Sequence, residues 1–270
     1  MTTEAAVLDG SARWLLRQGE ALAWLMSLPS ACADAIVTDP PYSSGGQFRS
    51  DRTRNTNDKY VQSGQVNSYE QFSGDNRDQR AYAAWCALWL SECLRVAKPG
   101  SLLVVFTDWR QLPTTTDAIQ AGGWIWRGIV PWSKAPGTYR PSLGFANRCE
   151  YAVWGTSGPH SLAGSAVGLI DATAPTIGRN DDEKFHPTQK PETLLQALLA
   201  PVTGGGVVVD PFAGSGTTGA ACLATGRRFL GCELTEHFAV GARERLSAIA
   251  VGSTRGAASV GQSPLFGSAP

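Results

Sequence analysis

Asp39-Pro-Pro-Tyr42 is the first place in the chain where residue types and spacing imply chemistry. Two consecutive prolines fix the backbone and remove two N–H donors, so nearby carbonyl oxygens stay free to accept hydrogen bonds from a ligand. The carboxylate of Asp39 adds another acceptor, and Tyr42 offers a flat face for stacking. Such a set suits a planar group bearing an exocyclic amine. A second place is Gly214-Ser-Gly-Thr-Thr-Gly219, a G-x-G-x-x-G turn between a strand and a helix. That context suits a nucleotide at a helix N-terminus, and taken alone it also fits a NAD site. Glu233 closes the next strand, where an acidic residue can hold both ribose hydroxyls of a bound nucleotide.

Both places need strands behind them. Ala33 to Thr38 runs into Asp39, and Gly206 to Val209 runs into Asp210-Pro-Phe-Ala-Gly-Ser-Gly216. Unbroken β-branched runs without polar alternation predict strands covered on both faces. Further strands are expected at Arg13 to Arg17, Leu102 to Phe106, Ile125 to Val130, Glu150 to Trp154 and Arg228 to Cys232. Between them, Ala81 to Ala97 places Trp85, Leu88, Trp89 and Leu94 at helical spacing and stops at Lys98-Pro-Gly100. Glu192 to Leu199, Thr217 to Ala224 and Glu236 to Ala248 read as further helices. This alternation predicts an α/β fold, a mostly parallel sheet with helices on both faces. Residues 1–251 are expected to form one domain. Within it, 43–80 is rich in Ser, Asn, Gln, Asp and Arg and is expected to be a flexible insertion, and 155–185 is Gly/Ser/Thr/Pro-punctuated. The small, polar tail 252–270 is expected to be disordered.

Composition narrows the class. The 270 residues carry 23 basic and 23 acidic side chains, 43% are hydrophobic and 17% charged, which excludes a highly charged disordered chain. No run approaches the roughly 20 apolar residues of a membrane span. The N-terminus lacks a basic segment followed by an apolar one, so a cytoplasmic location and no membrane partner are expected. The six cysteines form no C-x-x-C pair and read as buried reduced thiols. With only three scattered histidines, no metal site is expected.

The two chemical segments together resemble those of the amino-group DNA methyltransferases that use S-adenosylmethionine. His186-Pro-Thr-Gln-Lys-Pro191 is similar to a third motif of that family, and Arg148-Cys-Glu-Tyr-Ala-Val-Trp154 to its last catalytic-region strand. Gly19-Glu-Ala-Leu22 matches the position of a fourth, where the family more usually has Asp after the Gly. The tetrad precedes the glycine turn, as in the permuted group called beta. The resemblance therefore implies a Rossmann-like methyltransferase fold with a seven-stranded, mainly parallel sheet and one antiparallel strand. Its first two strands would come last in sequence, and Arg13 to Arg17 would lie third.

The resemblance also assigns roles. Asp39, Pro40, Pro41 and Tyr42 would be catalytic: the Asp39 carboxylate and Pro40 carbonyl accept the amine protons, and Tyr42 stacks on a base flipped out of the duplex. S-adenosylmethionine would be held by Asp210, Phe212, Ala213, Gly214, Ser215, Gly216 and Glu233, with Asp39 close by. Glu20 would meet its adenine ring, and Thr188 and Lys190 its methionine end. No metal is required. Asp at the first tetrad position leans toward adenine N6, while cytosine N4 and, from another class, a NAD-dependent oxidoreductase stay open as alternatives. DNA is the implied partner, and a homodimer and a cognate restriction endonuclease also stay open. For DNA contacts, Trp124 to Arg148 holds four basic residues and no acidic one, and Lys134, Tyr139 and Arg140 are the candidates within it. Trp124 and Trp126 are read there as core residues. The segment 155–185 falls where the group carries target recognition.

Overall fold

The runs of aliphatic residues form the centre of a single sheet. The structure, a computed structural model, describes residues 2–42, 77–134, 144–145, 148–173 and 189–252. Eight strands occur among the described residues: β1 (Trp14–Gln18), β2 (Ala33–Thr38), β3 (Ala97–Thr107), β4 (Ile125–Ser133), β5 (Cys149–Thr156), β6 (Ile170–Asp171), β7 (Val207–Asp210) and β8 (Arg228–Glu233). They lie in the order β1-β8-β7-β2-β3-β5-β4-β6. β5 is antiparallel to β3 and β4, and every other pairing is parallel. All seven expected strands form, with the single antiparallel member. The sheet gains an eighth because Ile170 buries its side chain and, with Asp171, pairs with Trp132 and Ser133 at the edge. β7, β8 and β1 are consecutive in the sheet, so strands from both chain ends meet as expected.

Side-chain alternation along the central strands builds two cores, one on each face. Ala35, Val37, Val104 and Phe106 pack on one face with α5 (Glu192–Leu199), α6 (Thr217–Ala224) and α7 (Glu236–Ala250). Ile36, Leu103, Val105 and Val209 pack on the other with α2 (Ala21–Ser27), α3 (Gln79–Val96) and α4 (Leu112–Ala121), while the short α1 (Glu4–Leu8) adds Val7. In α5 the four leucines Leu194, Leu195, Leu198 and Leu199 are all buried, each worth about 1.5–3 kcal/mol by area. They recur at helical spacing, so the sequence places this helix correctly to the residue.

α3 departs from expectation in two ways. It begins at Gln79, capped by Asp78, whose side chain accepts from the Arg80 and Ala81 N–H groups at 3.0 Å each. The last two residues assigned to the insertion 43–80 are thus helical; 43–76 lie outside the described residues. Its inward face is Tyr82, Cys86, Trp89, Leu90, Cys93 and Val96, and Leu88 points outward, 57% exposed. Two expectations at the cysteines and tryptophans are also revised. Cys86, Cys93, Cys222 and Cys232 are buried, but Cys32 and Cys149 are only half-buried. Burial pushes the thiols of Cys86 and Cys232 up to about 12, which leaves them unreactive. Trp124 is in the core with its indole N–H donating to Leu90 O at 2.9 Å, whereas Trp126 is 42% exposed.

Parallel registers align the carboxyl ends of β8, β7, β2 and β3 along one edge: Asp210 lies beside Gly231, and Thr38 beside Val105. In open parallel sheets ligands bind at that edge.

Candidate active site

Asp39 and the glycine turn leave from neighbouring strands at this edge, because β2 pairs with β7 through Ala35–Val208 and Ile36–Val209. A buried hydrogen bond ties the two exits together. Thr38 Oγ1 donates to Asp210 Oδ1 at 2.6 Å, and the same oxygen accepts from Phe212 N at 3.0 Å. Asp210 is 2% exposed, and burial pushes its carboxyl up to about 6, although Thr38, Thr218 and the Phe212 N–H favour its charged form.

The sign of that shift gives a stability prediction. Below its ordinary range of about 3.8 the group is protonated in both folded and unfolded chains. As pH rises through about 6 the folded protein must ionise a buried carboxyl, and stability is lost. Relative to Asp210→Asn, the wild-type unfolding free energy should therefore fall by on the order of 2–3 kcal/mol between about pH 4 and 7. Paired urea titrations across that range check it; parallel curves would show that Asp210 does not carry the shift.

The glycine turn is built from the backbone. Gly214 (φ 49) and Gly216 (φ 73) take left-handed conformations. Ala213 N donates to Cys232 O and Gly216 N to Ala213 O, both at 2.8 Å. Gly219 brings α6 against β8: a Cβ there would lie 2.8 Å from the Phe229 ring. Glu233 grips the turn, accepting from Gly214 N at 2.9 Å through one oxygen and from Thr235 N at 2.8 Å through the other. Burial raises its carboxyl, with those N–H bonds opposing. The hydroxyls of Ser215 and Thr217 are 2.9 Å apart, and Arg245 donates to Ser215 O and Thr217 Oγ1. Phe212 leans on Trp85 and Trp89, with ring centroids at 5.4 and 5.2 Å. Gly19 N donates to Glu233 O at 2.9 Å, which sets Glu20 beside the end of β8. The Glu20 carboxylate caps α2, accepting from Leu22 N and Ala23 N at 3.1 and 2.8 Å.

At the tetrad, Pro40 is buried while Asp39, Pro41 and Tyr42 are half-buried. Tyr42 OH donates to Asp39 Oδ1 at 2.6 Å, and Lys190 Nζ donates to Asp39 Oδ2 at 2.5 Å. Burial raises the Asp39 carboxyl, while Lys190 and the Tyr42 hydroxyl pull it down. Lys190 was expected beside a cofactor; the structure brings its ammonium onto Asp39. Lys134, expected at DNA, has its ammonium 2.5 Å from Glu150 Oε1 and 5.2 Å from the Trp132 ring. Sequence reasoning missed Glu150, which sits between the two lysines, with Oε2 at 3.4 Å from Lys190. The available signal was an acidic residue opening a strand otherwise fit for burial. Thr188, Tyr139 and Arg140 lie outside the described residues, as does 174–185. Among the described residues no cluster of His, Cys, Asp and Glu could hold a metal ion, and no helix is long and apolar enough to cross a membrane.

Known proteins are similar to this chain. YubD of Escherichia coli (strain K12), provisionally named a methylase, is 29% identical over 244 residues, 89% of this chain and 93% of its own. The type II methyltransferase M.HinfI of Haemophilus influenzae is 28% identical over 254 residues, 86% of this chain and 68% of its own. Among solved structures, the M1.HpyAVI complex with S-adenosylmethionine superposes with a TM-score of 0.62 at 21% identity, covering 86% of this chain and 98% of that one. The cytosine-N4-specific PvuII DNA methyltransferase does so with a TM-score of 0.64 at 15% identity, covering 86% of each. These likenesses show the methyltransferase fold. The family model for DNA methylases acting on N6 or N4 amines matches residues 33–167 and 170–244, and the chain therefore belongs to that family.

Proposed function

We propose that the protein methylates the exocyclic N6 amine of adenine in DNA, using S-adenosylmethionine and a flipped target base. The observation that carries this reading is the junction of β2 and β7, where the buried hydrogen bond from Thr38 to Asp210 ties together the strand exits that lead into Asp39 and into the glycine turn. The turn suits the cofactor. Gly214 and Gly216 leave backbone bare at the sheet edge, and α6 begins without a side-chain cap. Glu233 spends one lone pair on each oxygen, so its carboxylate retains acceptor sites for ribose hydroxyls. Asp210, Phe212, Ala213 and Ser215 would complete the wall, with Glu20 at the adenine end and Thr188 near the methionine. The order of motifs is that of the permuted beta group. The M.HinfI and M1.HpyAVI names support the activity and the cofactor.

S-adenosylmethionine, when bound, supplies a methyl group on a sulfonium that departs as a neutral thioether. The chain's own residues act on the amine, whose lone pair is delocalised into the ring. Asp39 and the Pro40 carbonyl accept its two protons, which favours a tetrahedral nitrogen with a localised lone pair. Tyr42 stacks on the flipped base. Asp39 then holds the proton released as the nitrogen forms its new bond. Asp in this position favours adenine over cytosine within the family. Incubation with methyl-labelled S-adenosylmethionine and duplex DNA, followed by digestion to nucleosides, tests this. Label in N6-methyladenine is the expected result; label in N4-methylcytosine would correct the base, and unlabelled DNA would overturn the reading.

A further inference from the structure

Lys190 is an ammonium held almost out of solvent between two carboxylates. It is 7% exposed, with Nζ at 2.5 Å from Asp39 Oδ2 and 3.4 Å from Glu150 Oε2. The rings of Phe106 and Tyr42 flank it at 5.2 and 5.4 Å. Lys134 closes the row on Glu150 Oε1. Asp39, Lys190, Glu150 and Lys134 thus alternate in sign from the end of β2 to the β4–β5 pair, and the row is formally neutral. One carboxylate would suffice to balance Lys190. The second is costly to bury: among the described residues Glu150 Oε2 has no hydrogen bond and faces Lys190 across the longer ion pair.

Resting on the function proposed above, we infer that Lys190 and Glu150 are positioning residues for methyl transfer. Lys190 fixes the orientation and charge of the Asp39 carboxylate, and Glu150 draws part of the ammonium's field away so that Asp39 stays basic enough to take the amine proton. In that step the nitrogen lone pair forms the bond to the methyl group, and the pair of the methyl–sulfur bond leaves with the neutral thioether. The N–H pair returns to nitrogen, and the proton ends on Asp39 as a carboxylic acid until solvent removes it. Among the described residues, the groups that face Asp39 are the Tyr42 hydroxyl on its own loop, Lys190 before α5, Glu150 on β5 with Lys134 behind it, and Asp210 at the end of β7. Burial lifts the Asp39 carboxyl, Lys190 lowers it and Glu150 lifts it, as this division of labour requires.

Two substitutions should then act in opposite directions. Glu150→Gln keeps shape and removes charge, so Asp39 is the one carboxylate of the row left against two ammonium groups and its titration moves to lower pH. Lys190→Met removes the cation, and the titration moves to higher pH. The carboxyl carbon of Asp39, labelled with carbon-13 and assigned through Asp39→Asn, reports both by nuclear magnetic resonance without turnover. In activity, the acidic limb of the kcat–pH profile should move the same two ways. For Glu150→Gln, kcat should fall about tenfold while calorimetric affinity for S-adenosylmethionine stays within about twofold. Unmoved titrations, or shifts of the same sign, would overturn the inference. Should the wild type leave DNA unmethylated, the function proposed above would fall, and the carboxyl titration would still decide this coupling.

Discussion

Asp39→Asn should lower kcat for DNA methylation by about 10²–10⁴-fold, the range that a positioned proton acceptor contributes, and leave cofactor binding nearly unchanged. The asparagine keeps an oxygen for the Tyr42 hydroxyl, now 2.6 Å from the carboxylate, so the loop should hold its shape. What it loses is the charge that accepts a proton and that binds Lys190. The effect should thus fall on the transition state rather than on ground-state binding. Asp39→Ala is a poorer test, because it also leaves the buried Lys190 with Glu150 as its remaining carboxylate and costs stability of about 1–3 kcal/mol. Calorimetry with S-adenosylmethionine and single-turnover methylation of duplex DNA separate the two effects. Retention of activity within tenfold of wild type in Asp39→Asn would exclude the carboxylate as acceptor. Tyr42 sharpens the comparison. Because its hydroxyl orients Asp39, Tyr42→Phe should cost about three- to tenfold, one net hydrogen bond, while Tyr42→Ala also forfeits stacking worth roughly 1–3 kcal/mol.

How the site could be read from the chain depends on whether its signal was local. The strand β7 and its turn were legible because Val207, Val208 and Val209 are buried on both faces and two glycines must follow at positive φ. The same holds for β2 and the prolines behind it. Where geometry came from distant parts, the sequence was silent. Lys190 meets Asp39 across 151 positions, and nothing in His186 to Pro191 indicates which carboxylate its ammonium will find. Glu150 reads as an ordinary strand residue until β5 inserts beside β3 and β4 and brings it to Lys190. β6 escaped because two residues carry no period; only its pairing with Trp132 and Ser133 reveals it. Glu20 shows the converse. Its motif pointed to a ligand, while its carboxylate has a local task in capping α2.

Gly214→Val should weaken S-adenosylmethionine binding by at least about hundredfold while the sheet stays folded. Gly214 sits at φ 49, a left-handed conformation that costs an L-residue roughly 1–2 kcal/mol and a β-branched one more. Relief of that strain would rotate the peptide and break the 2.9 Å bond from Gly214 N to Glu233 Oε2. Glu233 would then lose the contact that aims it at the turn, and a side chain would stand where the backbone must lie bare against the cofactor. Two losses at one site, each of about 1–2 kcal/mol, make the hundredfold. The fold should survive because the bond from Ala213 N to Cys232 O lies outside the rotated peptide, and the disturbance stays within the turn. Gly214→Ala separates strain from bulk: it shares most of the backbone cost but adds one methyl, so its affinity should lie between the two. Calorimetry gives the affinities, and far-ultraviolet circular dichroism with thermal unfolding reports the fold. Wild-type affinity in the valine variant would remove the cofactor from this turn. An alanine variant as damaged as valine would assign the loss to backbone strain at φ 49 rather than to the space above the turn.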